Sequence, residues 1–101
     1  MKKNKTDLIV IATAKATPGK EAALTAALSD VAGPTREQPG SVSWALYRAG
    51  ATLVAVERWS SRELHDRHLQ GAHVQALMGR MADLLAEAPS IVEHNIVVDD
   101  A

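Results

Sequence analysis

Two stretches with alternating apolar and polar residues, SVSWALYR (41–48) and TLVAVERW (52–59), are separated only by the three residues AGA. Side chains alternate between the two faces of a β-strand, and a short connection between two such runs predicts an antiparallel hairpin. Four residues of the second strand are predicted to share one face: Leu53, Ala55, Glu57 and Trp59. The pattern therefore predicts two paired strands of a sheet and the side chains of the second strand that share one face.

The first segment predicts another strand and a helix. DLIVIATAKA predicts a strand over 7–16 with largely apolar residues on both faces. TPGKEAALTAALSDV predicts a helix over 17–31, with Thr17 as N-cap and Pro18 at its first position. Gly33-Pro34 ends or kinks this helix, and one further turn reaches at most Gln38.

The segment after the hairpin predicts two helices and a last strand. Ser60 and Glu63 have the spacing of a capping box, which predicts a helix from there to about Gln70. Gly71 breaks it, and a second helix follows until Pro89. Its apolar stripe consists of Val74, Leu77, Met78, Met81, Leu84 and Leu85. SIVEHNIVV predicts the closing strand over 90–98.

The order of these elements predicts an α+β fold in which a ferredoxin-like antiparallel sheet carries its helices on one face. We expect a single domain over 1–101, with residues 1–6 loose. The opposite face of the sheet is also apolar, through residues such as Ile9, Ile11, Val54 and Val56. A second copy of the same sheet is the economical cover for it, so we expect a homodimer.

Charge and composition exclude several classes of function. The chain has 101 residues and a formal net charge of -1, and no basic stripe predicts nucleic-acid binding. The apolar run LIVIATA is too short to span a membrane and is not a convincing signal peptide. The chain contains no cysteine, which excludes disulfides and thiolate chemistry. We therefore expect a cytoplasmic protein without a nucleic-acid or membrane partner.

Trp59 and three of the four histidines, His65, His68 and His73, gather within fifteen residues. His68 and His73 would point about 140° apart on one continuous helix, and His65 with His68 lacks a third ligand, so no metal site is predicted. Because Gly71 separates two helices, His68 and His73 can converge beside Trp59. The residues alone leave a second interpretation open, in which the histidines are solvated and Trp59 is a core anchor.

Three segments, TPGKEAAL, REQPGSVSW and ERWSSRELHDRHLQGAHVQAL, resemble the antibiotic biosynthesis monooxygenase family. The resemblance extends from about Leu8 to Val98, and its most specific part is Glu-x-Trp at a strand end, followed by a helix with His-Leu-x-x-x-His. It implies a dimeric α+β barrel with a pocket between each sheet and its own helices. Characterised members oxidise small aromatics such as quinols and polyketide-derived phenols with O2 and use no metal or flavin cofactor.

The resemblance also implies roles for residues of this chain. Trp59 would stack on the substrate ring, and His68 or His73 would accept its proton, because imidazole titrates near neutral pH. Leu64 lies four residues before His68, so both should face inward, and this makes His68 our first choice for the base. The residues that we expect to contact substrate besides these three are Trp44, Glu57, Leu64, Met78 and Met81.

At two positions this chain lacks an asparagine that relatives with a particular activity carry, and these differences restrict the activities that the resemblance implies. Monooxygenases of the actinorhodin type carry an asparagine where this chain has Ala55, and haem-degrading relatives carry one near Ala12 or Thr13. We therefore expect that haem is not degraded. The alternatives to a cofactor-independent monooxygenase are a small-molecule-binding dimer without turnover and a haem-degrading enzyme. A polar-lined cavity beside Trp59 would favour the enzyme, and a cavity filled by methionines and Leu64 would favour the binding protein.

Overall fold

The computed structural model describes residues 2–100, which form one four-stranded sheet and four helices. The strands are β1 (Leu8–Lys15), β2 (Ser41–Ala49), β3 (Thr52–Trp59) and β4 (Ser90–Asn95). The helices are α1 (Glu21–Ser29), α2 (Ala32–Arg36), α3 (Arg62–Leu69) and α4 (Ala72–Met81). The sheet order is β2-β3-β1-β4 with antiparallel neighbours, which confirms the predicted ferredoxin-like α+β fold.

Strand β3 has the predicted bounds and the predicted alternation. Its residues on the helix side are all buried, with exposed fractions of 6% or less: Leu53, Ala55, Glu57 and Trp59. Opposite them across the central pairing, Val10 of β1 lies against Glu57, and Leu8 lies against Trp59. Helix α1 packs on this face through Leu24 and Leu28. The core therefore lies between one face of the sheet and the helices.

Two helix starts differ from the prediction. Residues 17–20 form a turn, in which the Lys20 N–H donates to the Thr17 carbonyl and Gly19 adopts a φ of 87°. Helix α1 therefore begins only at Glu21, so neither Thr17 nor Pro18 starts it. The N-cap of α3 is Ser61, one residue after the predicted Ser60, and its side chain accepts the Leu64 N–H at 3.2 Å.

Two elements end earlier than the sequence predicted. Helix α4 ends at Met81, although the apolar stripe continues through Leu84 and Leu85. Those two leucines pack on the core from a turn, and Leu85 makes a single bridge to Ala16. Burial of the stripe therefore does not require a helix. Strand β4 ends at Asn95 and not at residue 98. Beyond the strand, Asp99 accepts a hydrogen bond from the guanidinium of Arg58.

Arg58 ties the two ends of the described chain to β3. Its guanidinium donates to Asp7 at 2.7 Å, to Asp99 at 2.8 Å and to the Asn4 carbonyl at 3.1 Å. The hydrogen bonds from Arg58 to Asp99 and Asp7 raise the pKa of the guanidinium above its ordinary value. Asn4 and Asp7 close a hydrogen-bonded turn, while the looseness expected of residues 1–6 stays a prediction. Met1 and Ala101 lie outside the described residues.

The face of the sheet opposite the helices, here called the outer face, carries the apolar residues from which a homodimer was predicted. Val56 is 36% exposed at its centre, and Tyr47 and Val92 are 60% and 47% exposed on either side. The homodimer stays a prediction for this face. Within residues 2–100, no helix is long and apolar enough to cross a bilayer.

Candidate functional site

A cavity of about 110 Å³ lies between the helix side of the sheet and helices α3 and α4. Its walls are mainly apolar and include Leu46 from β2, Ala55 from β3 and Leu77 from α4. Met78 and Ile91 line it while remaining 46% and 45% exposed, so they stand at its rim. An open apolar cavity of this size suits one flat ring, since a dry cavity of about 150 Å³ in another protein holds benzene.

Glu57 and His68 form the polar end of this cavity. They are only 5% and 6% exposed, and Glu57 Oε1 lies 3.8 Å from His68 Nε2. Burial raises the pKa of the Glu57 carboxyl, and the hydrogen bond from Trp59 partly opposes that effect. A carboxyl and an imidazole that meet in an apolar space are groups that can exchange a proton with a bound ligand.

His68 is held in one orientation from the side away from the cavity. Its Nδ1 lies 2.6 Å from Gln38 Oε1, which is a hydrogen-bond acceptor. Burial, followed by the neighbouring His65 and His73, lowers the pKa of His68 to about 4. The lowered pKa favours the neutral form of the His68 imidazole near pH 7.

Trp59 is not among the residues that line the cavity, and its stacking on a substrate ring stays a prediction. The side chain is completely buried behind Glu57 and His68. Its ring centroid is 4.7 Å from that of His68 and 5.7 Å from that of His65, and its Nε1–H donates to Glu57 Oε1 at 3.0 Å. Trp59 is therefore a buried core residue that holds the Glu57 carboxylate in place through this hydrogen bond.

His73 and Leu64 also lie away from the cavity walls. His73 is half-buried, with its Nε2 3.2 Å from Thr35 Oγ1 and its ring centroid 5.7 Å from that of His68. Leu64 packs against the buried cluster of Leu8, Val10 and Trp59. Of the three residues predicted to line one pocket, His68 lines this cavity and Trp59 and His73 do not, and their roles toward a substrate stay predictions.

The other predicted contact residues do line the cavity. Trp44 and Met81 are buried in its walls, Glu57 lies at its polar end and Met78 at its rim. Neither methionine fills the space, so the cavity remains open. The lining is less polar than the one expected for the enzyme. The cavity is also not filled by methionines and Leu64, as was expected for the binding protein.

Comparison with known proteins now identifies the family. The sequence profile of the antibiotic biosynthesis monooxygenase family matches residues 7–80, which is most of the chain and includes Glu57, Trp59 and His68. The chain belongs to the antibiotic biosynthesis monooxygenase family. No curated protein matches it.

Solved structures of similar proteins share the whole architecture of this family member. Rv0793 from Mycobacterium tuberculosis is 30% identical with a TM-score of 0.86, and the match covers 95% of this chain and 99% of that one. NE2512 from Nitrosomonas europaea, a protein of unknown function, is 25% identical, with a TM-score of 0.87 and coverage of 98% and 97%. PA3566 from Pseudomonas aeruginosa is 24% identical, with a TM-score of 0.86 and coverage of 92% and 96%.

Two further residues contact His68 or Trp59 and are not among the predicted site residues. Gln38 contacts His68 from a loop thirty residues earlier in the chain, and no local pattern marks it. His65 is 2% exposed, and neither of its ring nitrogens has a hydrogen-bond partner among residues 2–100. Burial lowers the pKa of the His65 imidazole, whose ring centroid lies 5.7 Å from that of Trp59. Nowhere in this part of the chain do three acidic, histidine or cysteine residues come together as metal ligands.

Proposed function

We propose that this chain is a cofactor-independent monooxygenase that oxidises a small aromatic, quinol or polyketide-like substrate with O2. The observation that carries the proposal is the pair of ionisable groups, Glu57 and His68, at one end of a mainly apolar cavity. Apolar walls bind a flat ring and exclude water, and a neutral imidazole at one end accepts a proton from it. Membership of the monooxygenase family supports the reaction with O2.

In the proposed reaction, His68 Nε2 removes the proton of a phenolic hydroxyl or of an activated ring C–H. The resulting anion is electron-rich enough to give an electron to O2 directly, which is why no metal or flavin is needed. One oxygen atom enters the substrate and the other leaves as water, so the substrate supplies all four electrons. A C–O bond forms between the anion and O2, and the peroxide takes up the proton from His68. The O–O bond then breaks as the oxygenated carbon loses its own hydrogen as a proton and becomes a carbonyl, so the departing oxygen leaves as water.

Glu57 has a supporting role in this proposal. When His68 gains a proton, Glu57 Oε1 at 3.8 Å is the nearest acidic group. An opposite charge within about 4–6 Å favours the charged form of a titrating group by roughly 1–3 pKa units. The positive charge on His68 in turn favours the ionised form of Glu57. The pair therefore stabilises the charge that proton transfer creates.

Oxygen consumption by the purified chain tests the proposal. A panel of hydroquinones and anthrones should include a substrate that consumes one O2 per product, with one labelled oxygen atom incorporated from ¹⁸O2. Addition of chelator should leave the rate unchanged. A chain that consumes no O2 with any member of the panel, under conditions where it is folded, contradicts the proposal.

The mainly apolar lining of the cavity favours a second function, which is binding of a small apolar molecule without turnover. In that case the same aromatic compounds should bind, as seen by a change in tryptophan fluorescence, while O2 consumption stays at the background rate. Haem degradation is not proposed: a haem titration with a reductant should give neither a Soret shift followed by ring cleavage nor a biliverdin-like product.

A further inference from the structure

Gln38 is fixed in the loop between α2 and β2 by its own backbone. Its N–H donates to the Thr35 carbonyl at 3.1 Å, and its carbonyl accepts from the Ser41 N–H at 3.1 Å. The side chain points from this loop to His68 Nδ1, 2.6 Å away. The fixed backbone sets where the Gln38 side chain begins, and the contact with His68 offsets the rotamer freedom that the side chain loses.

The chemistry of this contact decides which nitrogen of His68 carries the proton. The amide oxygen of Gln38 accepts hydrogen bonds and has no proton to give. The proton of the neutral imidazole must therefore be on Nδ1, and Nε2 is left with its electron pair. Nε2 is also the nitrogen that faces Glu57 at the polar end of the cavity.

Gly71 leaves the space that this arrangement needs. A Cβ at position 71 would lie 3.2 Å from Gln38 Nε2, 3.2 Å from His73 Cε1 and 3.1 Å from the His68 carbonyl oxygen. The amide nitrogen of Gln38 thus lies toward the junction of α3 and α4, and its oxygen lies toward His68. The glycine that separates the two helices also accommodates the amide.

We propose that Gln38 is a positioning residue that holds His68 as the Nδ1–H tautomer and so leaves Nε2 as the basic atom of the cavity. The meaning of this tautomer for catalysis rests on the proposed function. The tautomer itself is a property of the resting protein and can be measured without a substrate.

The ring ¹⁵N chemical shifts of His68 test the proposal in protein labelled at histidine, with the signals assigned by their loss in His68→Asn. At pH 7 the unmodified protein should show a protonated Nδ1 and an unprotonated Nε2. Gln38→Met should give a mixture of the two tautomers, because the acceptor is gone. Gln38→Glu should keep the tautomer and raise the pH at which the ring protonates. The matched control is Gln70→Met, which removes an exposed glutamine at the end of α3.

The unmodified protein alone can overturn the proposal, whether or not the variants fold, if its His68 carries the proton on Nε2. An unchanged tautomer in folded Gln38→Met also overturns it. The groups that face His68 from neighbouring elements are Glu57, His65 and His73, and they are the same in all these variants.

Activity measurements separate this proposal from the proposed function. With an active substrate, Gln38→Met should lower kcat by at least about tenfold and by less than the roughly 10⁴-fold that a wrong tautomer costs in a serine protease. Gln38→Glu should retain more of the activity near neutral pH. If the tautomer is as proposed and no substrate is oxidised, the proposed function fails and the positioning role of Gln38 stands. If Gln38→Met changes the tautomer and leaves kcat unchanged, the positioning role fails.

Discussion

The indole N–H of Trp59 donates to Glu57 Oε1 at 3.0 Å, and the two residues are neighbours on the same face of β3. The same carboxylate oxygen lies 3.8 Å from His68 Nε2. One buried oxygen therefore connects the tryptophan of the core with the histidine of the cavity. Trp59 is fixed by packing, so it fixes the carboxylate in turn.

Glu57→Gln should lower kcat by roughly 10-fold to 1,000-fold, because an opposite charge shifts the pKa of a neighbouring group by about 1–3 units. The substitution keeps an acceptor for the Trp59 indole and removes only the acidic group. Steady-state O2 consumption measures the effect. Activity equal to that of the unmodified chain would show that Glu57 does not stabilise the charge on His68.

His68→Ala should lower the rate by about 10² to 10⁴, which is the usual contribution of a general base. His73→Ala should cost less, because His73 lies outside the cavity and acts only through its contact with His68. His94→Ala on the exposed strand β4 is the matched control. Equal rates for the single variants at 68 and 73, for the double variant and for the unmodified chain would mean that neither histidine is the base.

The stability of the fold should decrease as the pH falls from 6.5 to about 4, the interval between the ordinary pKa of histidine and the lowered pKa of His68. In that interval the unfolded state binds more protons than the folded one, so the free energy of unfolding falls with pH. His68→Gln should reduce the slope by up to about 1.4 kcal/mol per pH unit. Urea denaturation at several pH values measures it, with His94→Gln as control, and parallel curves would contradict a buried neutral His68.

Ala55→Leu should abolish binding of the aromatic ring, because the added side chain occupies the cavity wall opposite α4. Overpacking of this kind typically costs about 1–3 kcal/mol, so a folded variant is expected. Tryptophan fluorescence during a ligand titration measures binding. Ala26→Leu, on the exposed side of α1, is the control, and undiminished binding by Ala55→Leu would place the ligand elsewhere.

Val56→Glu should convert a dimer into a monomer, because it places a charge at the centre of the apolar outer face. Analytical ultracentrifugation of the unmodified chain should give twice the 10.8 kDa mass of one chain. Ala26→Glu, on the helix side, should remain dimeric. A monomer of the unmodified chain at micromolar concentration would contradict the predicted homodimer.

The sequence predicts the sheet better than the ends of its elements. Strand β3 has the predicted bounds because strict alternation and the AGA turn limit it on both sides. The end of α4 was placed too late because Leu84 and Leu85 bury the same surface from a turn as they would from a helix. Apolar periodicity indicates burial, and it does not show which backbone hydrogen bonds accompany it.

The candidate site shows a similar limit. The four-residue spacing from Leu64 predicts that His68 faces the core, and the alternation of β3 predicts that Trp59 faces the helices; both side chains are buried. Alternation does not give depth, however, so it could not show that the core covers Trp59 completely. The contact of His68 with Gln38 joins positions thirty residues apart, and only the packed helices and loop bring them together.

Arg58 brings the two ends of the described chain close together. It contacts both Asn4 and Asp99, and Lys3 lies 2.9 Å from Asp100, so residues 3 and 100 are neighbours in space. Ends that lie this close can be joined by a short flexible linker, and new ends can be opened at an exposed turn such as the one at Gly50. A circular permutant of this kind would retain every strand pairing while β3 became the first strand to leave the ribosome.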